Sequence, residues 1–302
     1  MKVSNHTICF ITFAGSPGET DSRYSDISKA RERIILQAKT SYQFQDCISL
    51  DWKMLTNLCT KHKIKIPTNP HRYSFTPILL KLISLNAFGS FDYVLYAGAG
   101  CEINTNLFAR KDLKEMINIA SRDLFYIEHN LLPEKDYTKK EVFNDLQVSP
   151  ESETTPQICA TFFMVSTTTE SEKLVAIADD WLEYSSRKNG FYISDDYNPE
   201  IQLSSFVAHR NDQSLLSIVL KKHQIKSKLE KQRNYERLFP SVRGATIFLW
   251  TNRNRSGISQ IPKHTNLFMN GLIATLVAPS IKLIQRIISL KKSLSSTKLW
   301  NS

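Results

Sequence analysis

Residues 91–104, Phe-Asp-Tyr-Val-Leu-Tyr-Ala-Gly-Ala-Gly-Cys-Glu-Ile-Asn, constrain this chain more than any other stretch. The run opens apolar, too short for a helix and rich in β-formers, as in a strand buried on both faces. It breaks at Gly98 and Gly100, one residue apart. Glycine there lets backbone approach a ligand closely, because no Cβ stands in the way. In open α/β sheets ligands bind at the carboxyl ends of the strands. Glu102 and Asn104 follow within reach of that place. The alternative is a buried strand ending in an ordinary glycine turn.

The flanking sequence predicts strands alternating with helices, hence an α/β protein with a mostly parallel sheet. Residues 8–14 read as the first strand and 26–40 as a helix, on which Arg31 and Arg33 are expected at solvated positions. A short strand at 47–50 precedes Asp51, which can cap the next helix, and Pro77 suits the first turn of a helix running to Leu85. Further on we expect a helix to about Ala120, a strand at 124–127, and a capping box at Thr138-x-x-Glu141. Residues 148–155 read as a flap-like loop and 157–165 as one buried strand. Thr167-x-x-Glu170 can cap a helix whose Leu174, Ile177, Ala178, Trp181 and Leu182 form a core-facing stripe.

A second polar cluster, His209-Arg210-Asn211-Asp212-Gln213-Ser214, opens an apolar helix. On residue types alone Asp212 is either the N-cap of that helix or a working carboxylate. A cap does not account for His209, Arg210 and Gln213 gathered beside it. With residues 91–104, this cluster resembles the GT-A-fold glycosyltransferases of bacterial capsule and cell-surface polysaccharide clusters. Their patterns read roughly Tyr-x-Asp-x-Gly-Cys-Glu-Ile-Asn and His-Arg-His-Asp-Gln-Ser. Residues 134–140, Val142-Phe143 and Gln157 agree with it, and the resemblance spans residues 7–255.

The resemblance implies a GT-A-like catalytic domain over residues 1–260, with 261–302 as an appendage. It implies sugar transfer from a nucleotide-diphosphate donor to a surface-glycan or lipid-linked acceptor. Asp212, Gln213 and His209 would carry the chemistry, with His209 on a phosphate or metal. Thr12, Ala14, Tyr96, Gly98, Gly100, Glu102, Asn104, Arg210, Arg253 and Arg255 would bind the nucleotide sugar. Gly98 stands where the family usually has aspartate, leaving Glu102 as the first carboxylate after the strand. A manganese or magnesium ion is therefore expected to bind weakly or not at all. Phe75-Thr76-Pro77 stands where family members often carry Trp-Lys-Pro. An inactive glycosyltransferase-like protein that binds nucleotide sugar or glycan is the alternative reading. Asp195 and Asp196, on the preceding loop, are either acceptor contacts or solvated acids.

Charge is unevenly spread. The chain carries a net +10, yet residues 221–302 hold 16 Lys/Arg against only Glu230 and Glu236. A basic end on an acidic body implies an anionic partner: a nucleotide diphosphate, a membrane face or nucleic acid. No RNA-recognition, zinc-knuckle or helix-turn-helix pattern supports the last. Residues 281–292 read as a basic amphipathic helix suited to an anionic membrane surface or to packing on the catalytic domain. The five scattered cysteines suggest reduced thiols and a cytoplasmic setting with no zinc site. No run approaches the roughly 20 apolar residues a membrane span needs.

Overall fold

The computed structural model describes residues 5–15, 24–67, 70–105, 109–229 and 248–251. Arg253, Arg255 and the 261–302 appendage lie outside the described residues. The first half contains β1 (Ile8–Phe13), α1 (Tyr24–Ser41), β2 (Asp46–Leu50), α2 (Trp52–Lys61), α3 (Phe75–Ser84), β3 (Tyr93–Ala97), β4 (Glu102–Ile103) and α4 (Arg110–Asp123). Then come β5 (Phe125–Tyr126), β6 (Glu128–Pro133), α5 (Glu134–Tyr137), α6 (Lys140–Asp145), α7 (Pro150–Thr154), β7 (Pro156–Ile158) and β8 (Phe162–Ser166). The remaining elements are α8 (Ser171–Ser186), two 3-10 segments (Arg187–Ile193 and Pro199–Ile201), α9 (Asn211–Lys222), β9 (Lys228–Leu229) and β10 (Leu249–Trp250).

The central sheet has the order β2-β1-β3-β8-β5. β1 pairs in parallel with β2 and β3, but β8 runs antiparallel to both β3 and β5. The expected mostly parallel sheet is therefore corrected: its pairings divide between the two kinds. The single strand expected over 157–165 is two strands. Its first part joins a small sheet, β7-β6-β9, and its second part is β8 in the main sheet. Residues 159–161 break the run and pass beside the Gly98 turn.

Side-chain parity sorts the core. Cys9, Ile11, Phe13, Val94, Tyr96, Phe163 and Val165 face a cluster shared with α3, α8 and α9. Ile8, Phe10, Tyr93, Leu95, Ala97, Phe162 and Met164 face α1 and α4 on the other side. The α8 stripe lies where its spacing predicts, with Leu174, Ile177, Ala178 and Trp181 buried. Asp51 caps α2 through its bond from the Met54 amide at 2.8 Å. The two expected capping boxes do not form. Thr138 Oγ1 donates to Glu134 at 2.8 Å, Thr167 Oγ1 donates to the Phe91 carbonyl, and neither α6 nor α8 has a side-chain cap. Thr138 turns back to a residue four positions before it and Thr167 to a carbonyl 76 positions away, instead of to the following helix. Within 148–155 lies the short helix α7, tied to α6 by Lys140–Glu153 at 2.8 Å.

Candidate functional site

β3 ends in a turn closed by the Cys101 amide on the Gly98 carbonyl at 2.9 Å. The Gly98 amide bonds the Thr161 carbonyl at 3.0 Å, which fixes the turn against the break between β7 and β8. Gly98 and Gly100 are half-buried while Ala97 and Ala99 are buried, so the two glycines present the open side of the turn. A Cβ on Gly98 would lie 3.5 Å from the Thr161 carbonyl oxygen and 3.9 Å from the Tyr96 hydroxyl, ordinary contact distances. The backbone does not demand glycine here. What glycine leaves is room beside the Tyr96 hydroxyl.

Arg33 holds the turn from the α1 side. Its guanidinium is buried and donates to the Ala99 carbonyl at 3.2 Å and the Cys101 carbonyl at 2.9 Å. Arg31 reaches the Leu50 carbonyl at 3.3 Å. The expectation of solvated positions is corrected for both. An arginine fork can satisfy two carbonyls at once, which is how a cation becomes acceptable against a buried turn.

Tyr96 points to the α3 and α9 face, and there it meets the second cluster. Burial, and then the neighbouring Asp212 carboxylate, hold its hydroxyl well above the ordinary phenol value. Asp212 lies in the first turn of α9, half-buried. Its Oδ2 accepts a hydrogen bond from Thr76 Oγ1 at the start of α3. Stacking of Phe75 on Phe13, with centroids 4.0 Å apart, seats that end of α3 beside the end of β1. Burial raises the Asp212 carboxyl to about 6, against the lowering effect of the Thr76 bond and of backbone amides. Among the described residues no cation pairs with it. The cap alternative for Asp212 is corrected: α9 has no side-chain cap at Arg210, and the Arg210 amide bonds Ser214 Oγ at 2.9 Å. A half-buried carboxyl that ionises near neutral pH, linked to the glycine turn through Tyr96, is equipped to exchange a proton with a ligand.

The other cluster residues hold Asp212 in place. Gln213 Nε2 donates to Gln157 Oε1 at 2.7 Å, and its Oε1 accepts from the Ala160 amide at 3.3 Å. Gln157 continues to Ser214 at 3.2 Å and Glu134 at 3.3 Å. Glu134 is fully buried and takes Ser217 Oγ and, at 2.8 Å, Lys221 Nζ. This network joins residues 134–138, Gln157 and α9 into one unit. Arg210 lays its guanidinium 4.2 Å from the centre of the Tyr137 ring. His209 is buried with both nitrogens engaged: Nδ1 takes the Lys139 amide at 3.3 Å, and Nε2 bonds the Tyr192 carbonyl at 2.8 Å. Those partners assign the proton to Nε2. Burial and the nearby Lys139 lower its pKa to about 3. Placing His209 on a phosphate or metal is therefore corrected; it is a neutral strut between two loops.

Parity separates the remaining expected nucleotide contacts from this region. Ala14 is buried against Ala30 and Ala99 on the α1 side. Thr12 is fully buried, and its hydroxyl has no hydrogen-bond partner among the described residues. Neither offers surface to a base, which corrects their assignment. Glu102 is fully buried, pairs with Trp250 across β4 and β10, and takes Gln37 Nε2 at 3.4 Å. Asn104 is buried beside Phe248, whose carbonyl accepts its amide at 2.8 Å. Glu102 thus faces α1 rather than the turn's open side, and a metal there does not fit. Among the described residues no group of three or more metal-ligating side chains gathers anywhere. Thr76, Arg33, Lys139 and Asn211 build this region too, in roles that the sequence did not assign to them.

No protein-family model matches the chain, and no curated protein matches it. Among solved structures it is similar to the apo form of mouse xyloside xylosyltransferase 1, at 11% sequence identity and a TM-score of 0.43. That match covers 84% of this chain and 100% of the other. It is also similar to the apo structure of the bifunctional glycosyltransferase WbbM, again at 11% identity and a TM-score of 0.43. Here 77% of this chain is covered but only 40% of the other. At that score the likeness decides nothing about this chain's chemistry, which rests on its own contacts.

Proposed function

We propose that this protein is a GT-A-like glycosyltransferase, moving a sugar from a nucleotide-diphosphate donor to a surface-glycan or lipid-linked acceptor. One observation carries the reading. Asp212 and the Gly98 turn lie far apart in the sequence yet are both neighbours of the buried Tyr96. The sugar would lie against the Gly98–Gly100 backbone, with Asp212 toward its reacting side. Asp212, ionised above about pH 6, would take the acceptor hydroxyl's proton or stabilise positive charge on the sugar. Gln213 would orient it through Gln157. The donor's leaving phosphates need neutralising, for which Arg210 and the positive end of α9 are at hand. Arg253, Arg255 and membrane attachment through the basic 261–302 segment remain proposals from the sequence.

The second reading, an inactive binding protein of the same fold, is favoured by one feature. The turn carries Gly98 where a carboxylate would serve a metal, and Glu102 is turned away from it. A thermal-shift panel of nucleotide sugars, with and without manganese, tests the first step common to both. A ligand that binds only the folded state raises the melting temperature. A shift with nucleotide-diphosphate sugars is expected without manganese; no shift with any of them removes both readings.

A further inference from the structure

Beyond α8 the chain turns through Arg187–Ile193, where Lys188, Asn189 and Gly190 have φ values of 49°, 55° and 81°. Three successive left-handed residues are not a conformation that a free chain holds, so surrounding contacts must impose it. Five carbonyls of the following loop turn inward onto three side chains. Lys139 Nζ donates to Phe191, to Ser194 at 3.3 Å and to Asp196 at 2.8 Å. His209 Nε2 bonds Tyr192 at 2.8 Å, and Asn211 Nδ2 bonds Ile193 at 3.0 Å.

Lys139 is fully buried, and among the described residues no carboxylate lies within ion-pair distance of it. Its ammonium also sits 3.9 Å from the centre of the Phe191 ring. An ammonium has three donors in a tetrahedral arrangement, and here three carbonyls consume them. Burying an unpaired cation is expensive, so its persistence needs such replacement of water by fixed dipoles. The carboxylates of Glu141, Asp196 and Asp195 add a longer-range attraction, and burial still lowers its pKa to about 8.

What this cage displays is Asp195. Its side chain is exposed, yet Oδ1 takes Asn211 Nδ2 at 2.9 Å and Oδ2 lies 3.7 Å from Arg72. Asn211 precedes Asp212, and Arg72 lies four residues before Thr76, in the turn that leads into α3. Asp195 thus contacts the same two segments that hold Asp212. We infer that Lys139 is a positioning residue: with His209 and Asn211 it fixes the 191–196 loop so that the exposed Asp195 carboxylate, held next to the start of α9, meets acceptor hydroxyls beside Asp212. The acceptor role rests on the glycosyl-transfer reading; the hold on the loop does not.

Two variants of the full chain separate these claims. In K139M, hydrogen exchange of the 191–197 amides should quicken at least tenfold, with β1 and β3 amides unchanged. D195N should leave exchange as in the wild type. With UDP-hexoses as donors and octyl glycosides as acceptors, both variants should raise the acceptor KM at least tenfold. UDP affinity by calorimetry should stay within twofold of wild type. Loss of protection throughout K139M would show a core cation with no particular hold on the loop. A wild-type acceptor KM in D195N would overturn the acceptor role, and it does so even if K139M fails to fold. A wild-type protein that turns over no UDP-sugar removes that role together with the reading beneath it, while exchange still decides whether Lys139 holds the loop.

Discussion

Thr76 Oγ1 donates a hydrogen bond to Asp212 Oδ2, tying the first turn of α3 to the first turn of α9 across 136 residues. Among the described residues it is the one side-chain donor on the candidate catalytic carboxylate, and it stands at the position where the resembling family often has lysine. A hydroxyl there supplies one bond and no charge, so burial prevails and the carboxyl ionises late, at about 6.

Replacing this donor should move that ionisation in a definable direction. T76V leaves the carboxylate less stabilised and raises the Asp212 pKa further, whereas T76K supplies a cation and lowers it. The acid limb of a pH–rate profile should shift up in the first and down in the second. Each shift should be at least half a pH unit, the bond to a charged group contributing about 1.5–3 kcal/mol. Unmoved limbs would show that Asp212 does not set the profile.

Stability should respond to Asp212 with a definite sign. A carboxyl raised to about 6 in the fold binds its proton more tightly than in the unfolded chain. Its contribution is therefore full below about pH 4 and lost as pH rises through 6. D212N removes that dependence, and its amide oxygen still accepts from Thr76. The variant should match or exceed wild-type melting temperature at pH 8 and fall behind it at pH 5, measured by calorimetry.

His209 acts in the opposite sense. Held neutral with a pKa of about 3, it stabilises the fold above its ordinary value near 6.5 and loses that contribution as pH falls toward 3. H209F deletes both backbone bonds and should cost about 2–4 kcal/mol at pH 7, with a flatter melting curve below pH 6. Full stability with lost phosphate binding would instead mark it as a ligand.

At Gly98 the fold has space to spare, since an added Cβ meets nothing closer than 3.5 Å. G98D should fold with a melting temperature within a few degrees of wild type. It should gain a manganese-dependent thermal shift that wild type lacks, because two carboxylates, the introduced one and Asp212, would then both lie next to Tyr96. Equal responses to manganese in the two proteins would contradict the placement of Gly98 beside Asp212.

The strands and helices that the sequence discloses are those whose periodicity is set by burial, such as β1, β3 and the α8 stripe. The antiparallel direction of β8 was not legible, because a strand buried on both faces reads the same either way. Thr138 and Thr167 followed capping spacing but bond backwards, to Glu134 four residues earlier and to the distant Phe91 carbonyl. The two clusters were visible as polar residues at the edges of apolar runs, yet their division of labour was not. His209 and Gln213 look like chemistry in sequence; only their bonds to Tyr192, Lys139, Gln157 and Ala160 show that they are struts. Thr76 was visible only as a departure from the resembling family and Lys139 only as part of a matching stretch; the role of each depends on a partner distant in the chain.

The most direct test of the central claim is nucleotide-sugar turnover by wild type and D212N, compared at a pH where their melting temperatures coincide. Release of nucleoside diphosphate from a panel of nucleotide sugars should fall at least a hundredfold in D212N while binding of the donor persists. If wild type turns over the donor and D212N keeps its rate, Asp212 is a packing residue and the region around Tyr96 that it shares with Gly98 is not the reaction site.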